Sequence, residues 1–350
     1  MKEQNGRNGS IELMRFLLIA AIAVMHFSNS YFGQTPYFDG AYAATEFFFL
    51  VSGYLLFRSF YKNREARKEI SAWKFTVHKI KNLYPYYIIS FFMIFSFSML
   101  SERAGIGKWL VSLGKSVWEL SFLQISGLKG FVLYNYPAWY ISAMLLAGYF
   151  IYTLLELWEK KFVKFVMPLS VLLIYCFFSK NAESIDVWGG AKIFDISDAL
   201  MRAFAGMCLG GISYYASIAI GKKELKGKTR LLLTGSEIAV FILAMILMAG
   251  VGHTQTDFYV IALLASAVIL AFSGQTHTEK LFSNAAVNFL GKISYPMFLN
   301  QIFVISLFGT FWEGLGYKEA VLLFMAVLTV ISLAEMLVLY GLRRVIWKKK

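Results

Sequence analysis

IELMRFLLIAAIAVMHFSNSY (residues 11–31) and AYAATEFFFLVSGYLLFRSF (residues 41–60) decide how this chain is read. Each run is about twenty residues long, enough at ~1.5 Å per residue to cross a hydrocarbon core of roughly 30 Å. A short loop without a basic residue joins them. Besides Glu12, the pair carries Arg15 near the start of the first run, His26 near its end and Glu46 near the start of the second. Ionisable groups inside such segments are costly, so they face a protein interior or a watery cavity and mark function. The rest of the chain reads as the structure that shelters them.

The composition agrees. Of 350 residues, 58% are hydrophobic and 16% charged, against about a quarter charged in a soluble domain. The chain is therefore an all-α polytopic membrane protein. The net charge of +13 does not point to nucleic acid, because most basic residues sit in short segments between apolar runs, where membrane topology places them. Cys176 and Cys208 both lie within apolar runs, so neither a disulfide framework nor a thiolate metal site is indicated. The first run is followed by more runs and lacks a small-residue cleavage site, which makes it a permanent helix.

About ten membrane helices are predicted, at 11–31, 41–60, 83–100, 138–158, 163–179, 199–220, 230–250, 256–273, 289–311 and 319–340. A weaker stretch at 110–127 reads as an interfacial or surface helix. With a cytoplasmic N-terminus, the cytoplasmic segments hold 24 Lys and Arg residues and the opposite loops 7, with Arg15, Arg58 and Arg202 inside spans. This asymmetry recurs along the chain and predicts both termini in the cytoplasm. The segment 61–82 is the most basic, and Lys348-Lys349-Lys350 reads as a lipid-facing tail. Residues 1–350 form one membrane domain with no appended soluble domain and no internal repeat.

Topology converts sequence position into depth. His26 falls ~7 Å below the outer surface, and Glu46, on a helix running inward, falls at the same level. Trp139 and Tyr140 stand at the outer mouth of the fourth helix, and Asp195, Asp198 and Arg202 near the outer end of the sixth. Arg15 lies eleven residues from His26, about three turns and ~16 Å away on the same helix face. Arg58, Lys79 and Lys81 add positive charge at the inner end. Cations inside and a His–Glu pair outside suit an extended molecule with an anionic head. The plainer reading of Arg58, Lys79 and Lys81 is lipid anchoring, and that of Arg202 is a helical pair with Asp198.

At this point the chain resembles the acyltransferase-3 family of integral membrane O-acyltransferases. Ile11-Glu12-Leu13-Met14-Arg15-Phe16 followed by His26 is similar to the family's opening motif. Glu46-Phe47-Phe48-Phe49-Leu50-Val51-Ser52-Gly53-Tyr54-Leu55 resembles its Phe-Phe-x-x-Ser-Gly-Phe-Leu run. Lys79-Ile80-Lys81-Asn82-Leu83-Tyr84-Pro85 stands where the family has Arg-x-x-Arg-x-x-Pro. Trp139-Tyr140-Ile141-Ser142 and Leu290-Gly291-Lys292-Ile293-Ser294-Tyr295-Pro296 complete the order. The departures are Lys79 and Asn82 for the two arginines, Met144 near a position where some members carry Glu, and Asn300-Gln301 where many have His.

The resemblance implies transfer of an acyl group, most often acetyl, from cytoplasmic acetyl-CoA to a sugar hydroxyl, in a multi-pass protein of a bacterial cytoplasmic membrane. It implies no metal. Arg15, Arg58, Lys79 and Lys81 would receive the phosphate-rich end of the donor, and His26 would act as general base, oriented by Glu46. Acetyl-His26 as a ping-pong intermediate is equally compatible. Trp139 and Tyr140 would form a platform for a glycan or lipid-linked sugar, and Arg202 would bind acceptor charge or the tetrahedral oxyanion. The alternatives are succinyl or other acyl transfer by the same fold, or a proton-coupled transporter or flippase of glycan precursors.

Overall fold

The computed structural model describes residues 7–34, 36–125, 133–187, 192–193, 196–250, 252–312 and 314–347. Asp195, the end of the 110–127 stretch and the Lys348–Lys350 tail lie outside them. The chain opens with α1 (Gly9–Phe32), a short 3-10 turn at Asp39–Ala43, α2 (Ala44–Glu65) and α3 (Ala72–Ser101). Two short helices follow, α4 (Ile106–Lys115) and α5 (Val117–Leu120). Then come α6 (Trp139–Lys161), α7 (Met167–Asn181), α8 (Asp198–Gly221), α9 (Gly227–Gly250), α10 (Thr256–Phe272), α11 (Thr278–Phe282), α12 (Ala285–Phe311) and α13 (Tyr317–Trp347). A two-residue ladder pairs Lys192–Ile193 with Ile196–Ser197.

Among the described residues, eight helical runs are long and apolar enough to cross a membrane, and the 17-residue α10 is a shorter apolar helix. One of the eight, Tyr136–Asn181, is 46 residues long and reverses direction. Trp158 leaves helical geometry at φ −140°, ψ 36°, and a wider turn follows at Phe162–Val166. Trp139 at the start of α6 and Tyr175 near the end of α7 both reach the Glu46–Arg202 pair. The protein is thus an all-α polytopic membrane protein. We call basal the end holding Gly9 and the start of α12, and distal the end holding His26 and Glu46. Large apolar side chains such as Leu172, Leu232, Ile246, Leu322 and Leu337 point outward, as a lipid-facing surface requires.

The third helix begins earlier than its hydropathy suggests. Ser71 caps α3 by accepting from the Lys74 N–H at 3.4 Å, so the expected loop 61–82 shrinks to the link between Glu65 and Ala72. Lys79 and Lys81 are helical residues in place of loop residues, and Pro85 is carried inside the helix without ending it. The 110–127 stretch divides into α4 and α5. Trp109 of α4 packs edge-on against Phe95 at 5.5 Å, while Ile106 and Leu110 point outward. An apolar outer face on such a helix suits the membrane–water interface.

The tightest packing joins α2 to α8. A Cβ at Gly53 would stand 2.1 Å from the Met207 carbonyl oxygen, and one at Gly210 would stand 2.2 Å from that of Leu50. Only glycine lets the two backbones approach this closely, the usual device for helices that cannot rely on water to drive them together. The contact fixes the rotation of α2, and therefore which of its side chains reach the interior.

Candidate active site

His26 projects from α1 towards α12. Its Nδ1 lies 3.1 Å from Oε1 of Gln301, whose Nε2 donates to the Phe298 carbonyl at 2.9 Å. The amide nitrogen is committed to a carbonyl, so the oxygen facing the ring accepts, and Nδ1 carries the proton. Nε2 is then the lone-pair nitrogen, with no hydrogen-bond partner among the described residues. Tyr136 packs edge-on against the imidazole at 5.5 Å.

The segment that delivers Tyr136 is held by a buried polar lattice. Glu119 accepts from the backbone N–H of Tyr134 at 2.9 Å and of Asn135 at 2.8 Å. Asn135 Nδ2 donates to the Leu299 carbonyl at 2.8 Å, and Ser90 Oγ donates to the same carbonyl at 2.7 Å. Tyr87 adds a hydrogen bond to the Glu119 carbonyl at 2.8 Å. Burial pushes the Glu119 carboxyl up to about 7, against the opposing pull of the two N–H groups. The lattice ties α3, α5 and α12 to the residues beside His26.

Glu46 has a different partner from the one expected. Its Oε1 accepts from Arg202 Nε at 2.6 Å and its Oε2 from the Tyr175 hydroxyl at 2.7 Å. Arg202 also donates to the Tyr42 carbonyl at 2.9 Å, and its guanidinium lies 5.7 Å from the Trp139 ring centre. The expected orientation of His26 by Glu46 is therefore corrected. The α2–α8 contact turns Glu46 towards Arg202, and Gln301 takes its place beside the imidazole. Arg202 is 1% exposed and Glu46 fully buried, so the guanidinium is engaged in a buried ion pair. Tyr140 is likewise turned inward. Its hydroxyl stands 3.4 Å from Ser52 Oγ, and its ring meets Phe49 and Phe298. Trp139 is half-buried, between Phe49 and Arg202.

The basal cations separate into groups. Arg15 stands 3.8 Å from Glu12, which also pairs with Arg7 at 3.3 Å. Lys79 is near enough to Arg15 for the two charges to repel, and Arg15 also acts on Tyr140. Lys79 lines a small cavity of about 20 Å³ with Ser52, Phe75, Thr76 and Met144. Its ammonium sits 5.7 Å from the Phe75 ring centre and makes no ion pair or hydrogen bond among the described residues. Two adjacent cations suit an anionic ligand. Arg58, in contrast, lies near Tyr54 and Tyr214 on the side of α2 facing α8, and Lys81 is exposed. The structure joins Arg15 with Lys79 and separates both from Arg58.

A polar line therefore runs through the bundle: Arg15 and Lys79 basally, then Ser52, Tyr140 and Met144, then Phe298, Gln301 and His26 distally. A family model described as an acyltransferase domain matches residues 8–341. The chain belongs to this acyltransferase family. No curated protein and no solved structure matches it. The match spans nearly the whole bundle, so the acyltransferase's His26, its buried pair and its basal cations all fall within the family domain. Gln301 and Tyr136 were not singled out from sequence as site residues. The available signal was a polar Asn300-Gln301 pair in an otherwise apolar helix and a Tyr-Pro step before Trp139.

Proposed function

We propose that this membrane acyltransferase moves an acetyl group from cytoplasmic acetyl-CoA to a hydroxyl of a surface or envelope glycan, with His26 as general base near the outer face. The observation that carries the reading is the His26–Gln301 contact, which assigns the ring proton to Nδ1 and leaves Nε2 free to accept one. The excess of basic residues at the basal end supports that end as cytoplasmic.

In this reading Nε2 takes the proton from the acceptor hydroxyl as its oxygen attacks the thioester carbonyl. The tetrahedral adduct collapses with loss of the coenzyme A thiolate, which recovers the proton from the imidazolium, and the acetyl ester remains on the sugar. As Nδ1 keeps its proton throughout, the Gln301 carbonyl accepts the same hydrogen bond in both charge states of the ring. Arg15 and Lys79 fit the anionic donor, while Glu46 and Arg202 hold α2, α7 and α8 around the site. Tyr136, beside the ring, is the aromatic surface nearest the acceptor position.

Mass spectrometry of envelope glycans from cells carrying wild-type protein, His26→Ala protein or none tests the reading. An increment of one acetyl mass per sugar, seen only with the wild type, is the expected result. A succinyl increment reassigns the donor, and equal spectra from all three strains, with the protein present in the membrane, overturn the glycan acceptor.

A further inference from the structure

A large cavity lies apart from His26, at the basal end. It is a cleft of about 1080 Å³ between the α2–α3 link and the kinked end of α6. That is slightly above the roughly 300–1,000 Å³ typical of small-molecule sites. Its rim carries Arg64, Arg67, Lys68, Lys74, Lys160 and Lys161 against Glu69, Glu156 and Glu159. Two of the three acids are occupied: Glu159 by Arg64 and the Tyr61 hydroxyl, and Glu156 by the Ala72 N–H at 3.1 Å. Arg67, Lys68, Lys74, Lys160 and Lys161 make no ion pair among the described residues. The cleft is thus strongly cationic.

Its other surfaces are aromatic. Phe60 and Tyr152 form the floor, with ring centres 5.3 Å apart. Trp158, the residue at the α6 kink, lines the cleft and is 61% exposed. Arg67 is placed on the rim by a left-handed φ of 54°, held where the Lys68 N–H reaches back to the Asn63 carbonyl at 2.8 Å. A non-glycine residue in that conformation is uncommon and is a reason to look for a role. An exposed indole beside unpaired cations recognises a flat base carrying phosphates.

The cleft also adjoins the polar line. Tyr152 stacks on Phe75 at 4.8 Å, and Phe75 lines the Lys79 cavity. The Lys79 cavity therefore lies one stacked aromatic pair inward of the cleft. We propose that this basal cleft is a binding site for the phosphorylated adenine nucleotide end of the acyl donor, with Trp158 as the stacking surface and Arg67, Lys68, Lys74, Lys160 and Lys161 as phosphate partners. The proposal rests on the reading of the protein as a coenzyme A-dependent acyltransferase. It places the nucleotide on residues other than Arg15 and Lys79, which then face the inner arm of the donor.

The test uses the full chain in neutral phosphatidylcholine nanodiscs, with adenosine 3′,5′-bisphosphate as probe. The variants are Lys160→Ala/Lys161→Ala, Lys68→Ala and Trp158→Leu, all at exposed positions. Nucleotide affinity falls about tenfold or more in the double variant and in Trp158→Leu, and remains at the wild-type value in His26→Ala. In turnover the same variants raise KM for acetyl-CoA with little change in kcat, and leave KM for acetyl-pantetheine, which lacks the nucleotide, unchanged. Nucleotide affinity equal in wild type and variants overturns the cleft, whether or not transfer occurs. Variants whose only effect is a changed dependence on phosphatidylglycerol, when turnover is repeated in nanodiscs containing that lipid, also overturn it, in favour of a lipid headgroup site. Cleft-dependent nucleotide binding without acyl transfer would keep the cleft and remove the acetyl-transfer reading.

Discussion

His26 Nδ1 and Gln301 Oε1 stand 3.1 Å apart, and Gln301 is locked by its own 2.9 Å bond to the Phe298 carbonyl. The amide therefore selects one imidazole tautomer without adding a charge to the interior. Replacing Gln301 with Leu removes the acceptor while keeping the bulk. The expected result is a fall in kcat of roughly 10–100-fold with KM for acetyl-CoA nearly unchanged. Gln301→Glu, which still accepts from Nδ1, retains more activity than Gln301→Leu. Equal losses in the two variants, or a change confined to KM, would remove Gln301 from the positioning role.

The Glu46–Arg202 pair makes a different prediction, because both partners are buried and neither reaches His26. Arg202→Met leaves Glu46 with only the Tyr175 hydroxyl, and Glu46→Leu strands the guanidinium. Each single change should destabilise the protein by about 3–5 kcal/mol, while the double change is much milder. Thermal unfolding in detergent checks this, with activity measured on whatever folded protein remains. A double variant that is fully stable yet wholly inactive would show that the pair takes part in transfer.

The contacts of Arg202 with Glu46 and Trp139 agree with the layer expected from helical rise, but the pairing itself was not legible in the sequence. Helical rise turns residue number into depth, so His26, Glu46, Trp139 and Arg202 could be placed in one layer from hydropathy and charge alone. Which face of α2 carries Glu46 depends on its rotation against α8. That rotation is set by Gly53 and Gly210 meeting backbone carbonyls, a contact between distant segments with no local signature. The start of α3 was hidden for another reason. Lys74, Lys79 and Lys81 lower the hydropathy of residues that are nevertheless helical, since long basic side chains can reach the headgroup level from within a helix. Gln301 carried a weak signal, being one neutral polar residue in a long apolar run.

Gly291 links the family motif to the donor end. A Cβ there would stand 1.9 Å from Glu12 Oε2 and 2.7 Å from Glu12 Cβ, so even alanine displaces the whole carboxylate arm. Glu12 pairs with Arg15 at 3.8 Å, and its displacement moves the cation that faces the donor. Gly291→Ala should raise KM for acetyl-CoA several-fold, with a smaller effect on kcat and a loss of stability of about 1–3 kcal/mol from overpacking. Steady-state kinetics over a range of acetyl-CoA concentrations separates the effects. An unchanged KM in stable protein would show that Arg15 does not depend on Glu12 for its position.

Glu119 gives the lattice beside Tyr136 a pH dependence. Its carboxyl is raised from the ordinary value near 4.5 to about 7 in the folded protein, chiefly by burial. Between those values the folded state binds more protons than the unfolded state, so this group's contribution to stability falls as pH rises from about 4.5 to about 7 and is level above that. A shift of this size is worth on the order of 3 kcal/mol. Glu119→Gln cannot ionise and should abolish that part of the slope, while losing one of the two backbone N–H bonds and so some stability at every pH. Melting temperatures of both proteins, measured from pH 5 to pH 8 in the same detergent, make the comparison. A Glu119→Gln variant whose melting temperature tracks the wild type across the range would show that the Glu119 proton is not linked to folding. Convergence of the two curves towards pH 8, as the wild type ionises, would tie the carboxyl to the segment that holds Tyr136 against His26.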